Sequence, residues 1–185
     1  MSSPSESIVR SALRERVLVE TDGAKRTVDE FWVPRSHERA DLAVIGMRLE
    51  AFEIKTARDT LRRLPRQASA YERLFDRCTV VIAENHRDSV IGMLPEWWGI
   101  TTIHMNGSVD FTPVRETSAN CRVDPEILVR LLWRDEAMAA LHDLGLAPDK
   151  KASRAYLWRE LLNTATLAQL KTIVRRAIVQ RDPRR

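Results

Sequence analysis

The chain holds 185 residues, 30% of them charged, with a net charge of +4 and a pI near 9.4. That length suits one domain, or a domain with a small appendage, and allows a full apolar core. No apolar run approaches the ~20 residues that span a bilayer, and Met1-Ser2-Ser3-Pro4-Ser5 carries no signal-peptide pattern. Cys78 and Cys121 stand far apart without a Cys-x-x-Cys pair, so a reducing cytoplasm, with no membrane partner, is the expected setting. His37, His86, His104 and His142 have no zinc spacing and no glycine-rich phosphate loop occurs, which speaks against a zinc enzyme and a nucleotide cofactor.

Ile8–Val17 is an amphipathic run carrying Glu15, with Glu20 after it, and Glu30-Phe31-Trp32-Val33 is the first strand-like stretch. Ala40-Asp41-Leu42-Ala43-Val44-Ile45 and Leu49-Glu50-Ala51-Phe52-Glu53-Ile54-Lys55 follow as two further strands, rich in apolar and branched residues. Gly46-Met47-Arg48 between them can turn a hairpin in which Ile45 pairs with Leu49 and Asp41 falls opposite Glu53. Opposed side chains share a face with Cβ atoms about 4.5–5.5 Å apart, and Lys55, two residues beyond Glu53, points the same way. Two carboxylates that close repel unless a cation or a proton sits between them. The pattern therefore fits a divalent-metal site with a lysine at its rim. An odd register, from a regular two-residue loop, would send Asp41 and Glu53 to opposite faces and abolish it.

After Lys55, the residues Leu61, Leu64, Ala68, Tyr71 and Phe75 recur at helical spacing, with Arg58, Arg62, Arg63, Arg66 and Arg73 outside that stripe. Pro65 kinks or restarts this helix, Gln67 and Tyr71 lie one turn apart on it, and Cys78–Ala83 reads as a buried strand.

Strand, strand, helix and strand, with Asp41, Glu53 and Lys55 in place, resemble the PD-(D/E)xK nuclease superfamily. Gln67-x-x-x-Tyr71 resembles its RecB-like branch, and the whole string, from Arg39 to Asp76, a family of small stand-alone bacterial members. The likeness covers about residues 8–115 and departs at Ala40, where a proline is usual. It implies a restriction-endonuclease-like α/β core, a mixed central sheet flanked by helices, over residues 1–117. It implies Mg²⁺ or Mn²⁺ held by Asp41, Glu53 and the Ile54 carbonyl, with Lys55 and Gln67 as catalytic groups and Tyr71 as an accessory. An upstream glutamate is also expected, and Glu30 is preferred over Glu15 and Glu20 because Asp29-Glu30 opens a strand of the same sheet. The implied function is hydrolysis of DNA phosphodiesters, in repair or in defence against foreign DNA. The alternatives are a non-catalytic DNA-binding or assembly subunit that keeps the fold, and a dimeric junction resolvase.

Downstream, Trp97 and Trp98 either stack bases or anchor a loop onto the core, the second being preferred, and Asn106-Gly107 signals a hairpin between Ile100–Met105 and Ser108–Val114. Residues 116–123 read as a linker. The remainder, 118–185, is a helical extension: one helix from Asp124-Pro125 to a stop at Gly145, then about Ala152–Asn163 and Leu167–Arg181. Leu157, Leu161, Leu170, Ile173, Val174 and Ala177 are expected inward, leaving Arg154, Arg159, Lys171, Arg175, Arg176 and Arg181 outward. Residues 118–185 hold 13 Lys and Arg against 8 Asp and Glu, and residues 1–117 hold 17 against 18, so the basic excess is C-terminal. With Arg58, Arg62, Arg63 and Arg66, the residues Lys171, Arg175 and Arg176 are the expected DNA contacts. A homodimer or partner-protein interface through these helices is the competing use of the extension.

Overall fold

A six-stranded mixed sheet organises the first part of the chain, its strands lying side by side in the order in which they occur. The computed structural model describes residues 5–20 and 26–182. Helix α1 (Glu6–Glu20) is followed by β1 (Arg26–Trp32), β2 (Arg39–Ile45) and β3 (Leu49–Lys55), an antiparallel meander. Helix α2 (Leu64–Glu72) crosses over to β4 (Arg77–Ala83), and a 3₁₀ turn with the short helix α3 (Arg87–Ile91) crosses over to β5 (Gly99–Asn106); both connections make parallel pairs. Strand β6 (Ser108–Arg115) closes the sheet antiparallel, turning at Gly107, whose φ of +81° is one a glycine adopts without strain.

The β2–β3 register decides where charge goes. Ile45 pairs with Leu49 and Leu42 with Phe52, as the three-residue turn predicts, and the Gly46 N–H closes that turn on the Arg48 carbonyl at 3.0 Å. Continued one step, this register sets Asp41 across from Glu53. Leu42, Val44 and Ile54 then share the other face, where they pack with Val9, Leu13 and Val17 of α1, a stripe four residues apart. Glu53 faces α2 instead. Leu61–Arg63 form a 3₁₀ turn and α2 restarts at Leu64 with Pro65 in its first turn, where a missing N–H costs nothing.

Behind α2 the aromatic rings close the core. Trp98 is fully buried and stacks on Tyr71 with centroids 5.8 Å apart, and Tyr71 meets the edge of Phe75. Trp98 thus anchors its loop and offers no surface to a base, while Trp97 is half-buried.

Several expectations change. The first strand begins at Arg26, well before Glu30, and Glu30 itself bends out of extended geometry with φ +50°. Residues 116–122 are stitched to the first unit: Asn120 donates to the carbonyls of Glu72 and Phe75 at 2.6 and 2.8 Å, and Thr117 Oγ1 to that of Cys78 at 3.1 Å. The chain accordingly divides after Arg122, with the second unit starting at Val123.

In the second unit the long helix expected from Asp124 is broken. Asp124 caps α4 (Pro125–Leu128), a 3₁₀ turn runs to Leu131, the chain extends at Leu132, and α5 (Arg134–Asp143) starts afresh. The break persists because its polar groups find partners. Glu136 accepts the Trp133 N–H at 2.7 Å, Arg181 forks onto both Glu136 oxygens at 2.7 Å and also reaches the Leu131 carbonyl, and the Trp158 indole donates to Leu132. Gly145 ends α5 with φ +82°, the Leu146 N–H closing back on Leu141. Helices α6 (Arg154–Thr164) and α7 (Leu167–Gln180) bury Leu157, Leu161, Leu170, Val174 and Ile178, whereas Ile173 and Ala177 are only half-buried and line an open cleft beside α5. No helix among the described residues is long and apolar enough to cross a membrane.

Candidate functional site

At the start of β2 and the end of β3 the structure gathers five of the residues singled out from sequence. Asp41 Oδ2 accepts the Ile54 N–H at 2.6 Å. Glu53 is 1% exposed and its carboxylate is met from three sides. Lys55 Nζ lies 2.6 Å and Gln67 Nε2 2.5 Å from Oε1, and the Tyr71 hydroxyl lies 2.6 Å from Oε2. That hydroxyl is also 2.5 Å from the Arg39 carbonyl, so one proton serves two acceptors. Gln67 and Tyr71 reach the same carboxylate because they sit one turn apart on α2.

The cluster is short of positive charge. Burial first, and then the neighbouring Glu53 carboxylate, hold the Asp41 carboxyl at about 7, against the pull of the Ile54 N–H and Lys55. Burial and the same Glu53 charge push the Tyr71 phenol up, which keeps it a hydrogen-bond donor. Gln67 Oε1 is buried and has no donor among the described residues.

On the other side of Asp41 stands a second group of carboxylates. One oxygen each from Glu6 in the first turn of α1, Glu30 of β1 and Asp41 lie within 4.8 Å of one another. In the β1–β2 register Glu30 stands opposite Asp41, and its positive φ marks it as a strained position for a residue with a Cβ. The Arg10 guanidinium bonds Glu6 and, at 2.9 Å, Glu30. Sequence reasoning found Glu30 but missed Glu6 and Arg10. Their i, i+4 spacing was visible, but the expected helix began at Ile8, two residues too late to include Glu6. Glu15 is exposed beside β6, away from this group, and the side chain of Glu20 lies outside the described residues.

Hard carboxylate oxygens around Asp41 and an orphaned Gln67 oxygen suit Mg²⁺ or Mn²⁺ better than a softer metal. Asp41, with Glu6 and Glu30, is the group best placed to hold such an ion. Glu53, the other carboxylate expected to hold the ion, already has three partners.

The arginines are less available than the sequence suggested. Arg58 and Arg62 are exposed on the segment leaving β3. Arg63 and Arg66 are anchored: Arg63 Nη2 lies 3.0 Å and Arg66 Nε 2.6 Å from the two oxygens of Glu38, a buried carboxylate that sequence reasoning overlooked. In α7, Lys171 is half-buried, Arg175 bonds Thr172, and Arg176 pairs with Asp143 at 3.7 Å.

The family model for bacteriophage P4 protein cII matches residues 3–184. The chain belongs to the bacteriophage P4 protein cII family. Protein cII of Enterobacteria phage P4 is 28% identical over 120 residues, which are 64% of this chain and 46% of the phage protein, so the chain spans about half the length of that cII relative. Among solved structures, the SPO1766 protein of unknown function from Silicibacter pomeroyi superposes with a TM-score of 0.41 at 19% identity, over 60% of this cII-family chain and 70% of that one.

Proposed function

We propose that this chain is a Mg²⁺- or Mn²⁺-dependent nuclease that hydrolyses DNA phosphodiester bonds on a restriction-endonuclease-like core, serving repair or defence against foreign DNA. One observation carries the proposal. Lys55, Gln67 and Tyr71 converge on the Glu53 carboxylate from a strand and a helix, and beside them Asp41, bonded to the Ile54 N–H, has its charge disfavoured by burial and by Glu53.

Each side chain has a role. Asp41, with Glu6 and Glu30 beside it, would hold the ion, which when bound would supply Lewis acidity and a more acidic water. Glu53 fixes Lys55 by the 2.6 Å ion pair, so the ammonium is held where it can donate to the negative charge growing on the phosphate. Gln67, tethered through Nε2, keeps Oε1 free to accept a hydrogen bond from the attacking water and orient it. Tyr71 locks Glu53 to the Arg39 backbone and is a positioning residue. Arg58 and Arg62 stand exposed just beyond Lys55, ready for flanking phosphates.

A panel of supercoiled, linear, single-stranded and branched DNA, with Mg²⁺, Mn²⁺ or EDTA, tests this. Wild type should cut at least one substrate only with the divalent ion, and Lys55→Ala should cut none. Equal cleavage by Lys55→Ala, or no cleavage of any substrate, rejects it.

The Arg10 guanidinium, lodged against Glu6 and Glu30, favours a second reading: a non-catalytic DNA-binding or assembly subunit in which arginine replaces the ion. DNA binding by wild type without cleavage under every condition would support that reading instead.

A further inference from the structure

The second unit carries the entire net charge of the chain, 12 Lys and Arg against 8 Asp and Glu from residue 123 onward, and the structure concentrates part of it around one tryptophan. The Arg130 guanidinium carbon lies 5.1 Å, and that of Arg154 4.8 Å, from the centroid of the Trp158 ring. Two like charges are thus held over one indole, and neither has a carboxylate within ion-pairing distance among the described residues. Arg130 Nε is buried without a hydrogen-bond acceptor. Each guanidinium is steadied by the ring, and an anion that reaches both gains Coulomb energy from two charges without a counter-ion.

The surroundings hold the pair in place. The Trp158 indole N–H is spent on the Leu132 carbonyl at 3.2 Å, which fixes the ring. Arg154 opens α6, whose N-terminus adds partial positive charge. Just before it, Lys150 and Lys151 are exposed, on a segment tied down by Arg134 through the carbonyls of Lys150 and Ala152. With its ring under guanidiniums and its N–H bonded, Trp158 leaves little surface for a base. The site offers charge and donors, which is what a duplex backbone asks for.

We infer that Arg130 and Arg154, clamped on Trp158, bind consecutive backbone phosphates of duplex DNA. This site is separate from the carboxylate cluster and holds whether or not that cluster cleaves.

Binding of a fluorescein-labelled random-sequence duplex by the full chain, in EDTA, across a salt series, reads the clamp directly. For Arg130→Gln/Arg154→Gln the slope of log affinity against log salt should flatten by about 1.8, about 0.9 for each lost phosphate contact. Affinity at low salt should fall more than tenfold. The control Arg87→Gln/Arg122→Gln removes two paired, exposed charges and should change neither quantity by as much. Arg130→Lys/Arg154→Lys keeps the charge and should retain most of the slope, which guards against a folding artefact in the Gln variant. An unchanged slope in the Gln variant, an equal loss in the control, or no duplex binding by wild type overturns the inference.

Discussion

Replacing Asp41 by Asn isolates the charge imbalance at the site. The Asp41 carboxyl titrates at about 7 in the folded chain against an ordinary 3.8, because burial and Glu53 disfavour its charge. The folded state therefore holds this proton over a pH range where the unfolded state has released it. With the folded value raised, the stabilisation is complete below about pH 4 and is lost as pH climbs through 7. Each unit of difference is worth about 1.4 kcal/mol, so the loss amounts to at most about 4 kcal/mol. Asn keeps an oxygen for the Ile54 N–H and cannot ionise. Urea unfolding in EDTA from pH 4 to 8 should then show wild type losing stability relative to Asp41→Asn, steepest between pH 5 and 7. Adding Mn²⁺ at pH 8 should restore stability to wild type and not to the variant. A wild-type-minus-variant difference that stays flat across this pH range would refute the electrostatic account of the site.

Other perturbations follow from the same contacts. Tyr71→Phe removes the hydroxyl between Glu53 and the Arg39 carbonyl and should cost about 1–3 kcal/mol in chemical denaturation. Lys55→Ala leaves the buried Glu53 without its ion pair, so the variant should melt lower, by about 3 kcal/mol or more, yet keep a native circular dichroism spectrum. Glu136→Ala removes the carboxylate shared by Arg181 and the Trp133 N–H, leaving Arg181 its bond to the Leu131 carbonyl, and should lower stability by about 2–4 kcal/mol. In Gly99→Ala the new methyl would stand 2.8 Å from Thr79 Oγ1 and 3.0 Å from Thr117 Cβ, a clash worth about 1–3 kcal/mol in thermal unfolding.

What could be read before folding was local. The 46–48 turn and the alternation on either side of it carried the β2–β3 register, because a one-residue slip would have turned Leu42, Val44 and Ile54 out of the core. Pro65 and Gly145 announced a helix start and a helix stop through backbone constraints that do not depend on neighbours. What escaped depends on partners distant in sequence. The break at Leu132 is held by Arg181, some fifty residues on, and a run of leucines at helical spacing gives no hint of it. Nothing near Glu38 in the sequence marks it, because the charges that hold it, Arg63 in the 3₁₀ turn and Arg66 on α2, lie some twenty-five residues on or more. Glu6, Glu30 and Asp41 come together from α1, β1 and β2, and Glu30 does so with a left-handed backbone, a conformation its side chain disfavours.

If Asp41 and its neighbours make a metal-dependent phosphodiesterase, as proposed, removing the Asp41 charge should end the reaction. The most direct test is the nicking rate of supercoiled plasmid in Mn²⁺ by wild type and by Asp41→Asn, purified alike and compared at matched protein concentration. Wild type should nick, EDTA should abolish that nicking, and Asp41→Asn should show no rate above background despite its intact fold. Equal rates for the two proteins, or nicking that survives EDTA, would contradict the proposal.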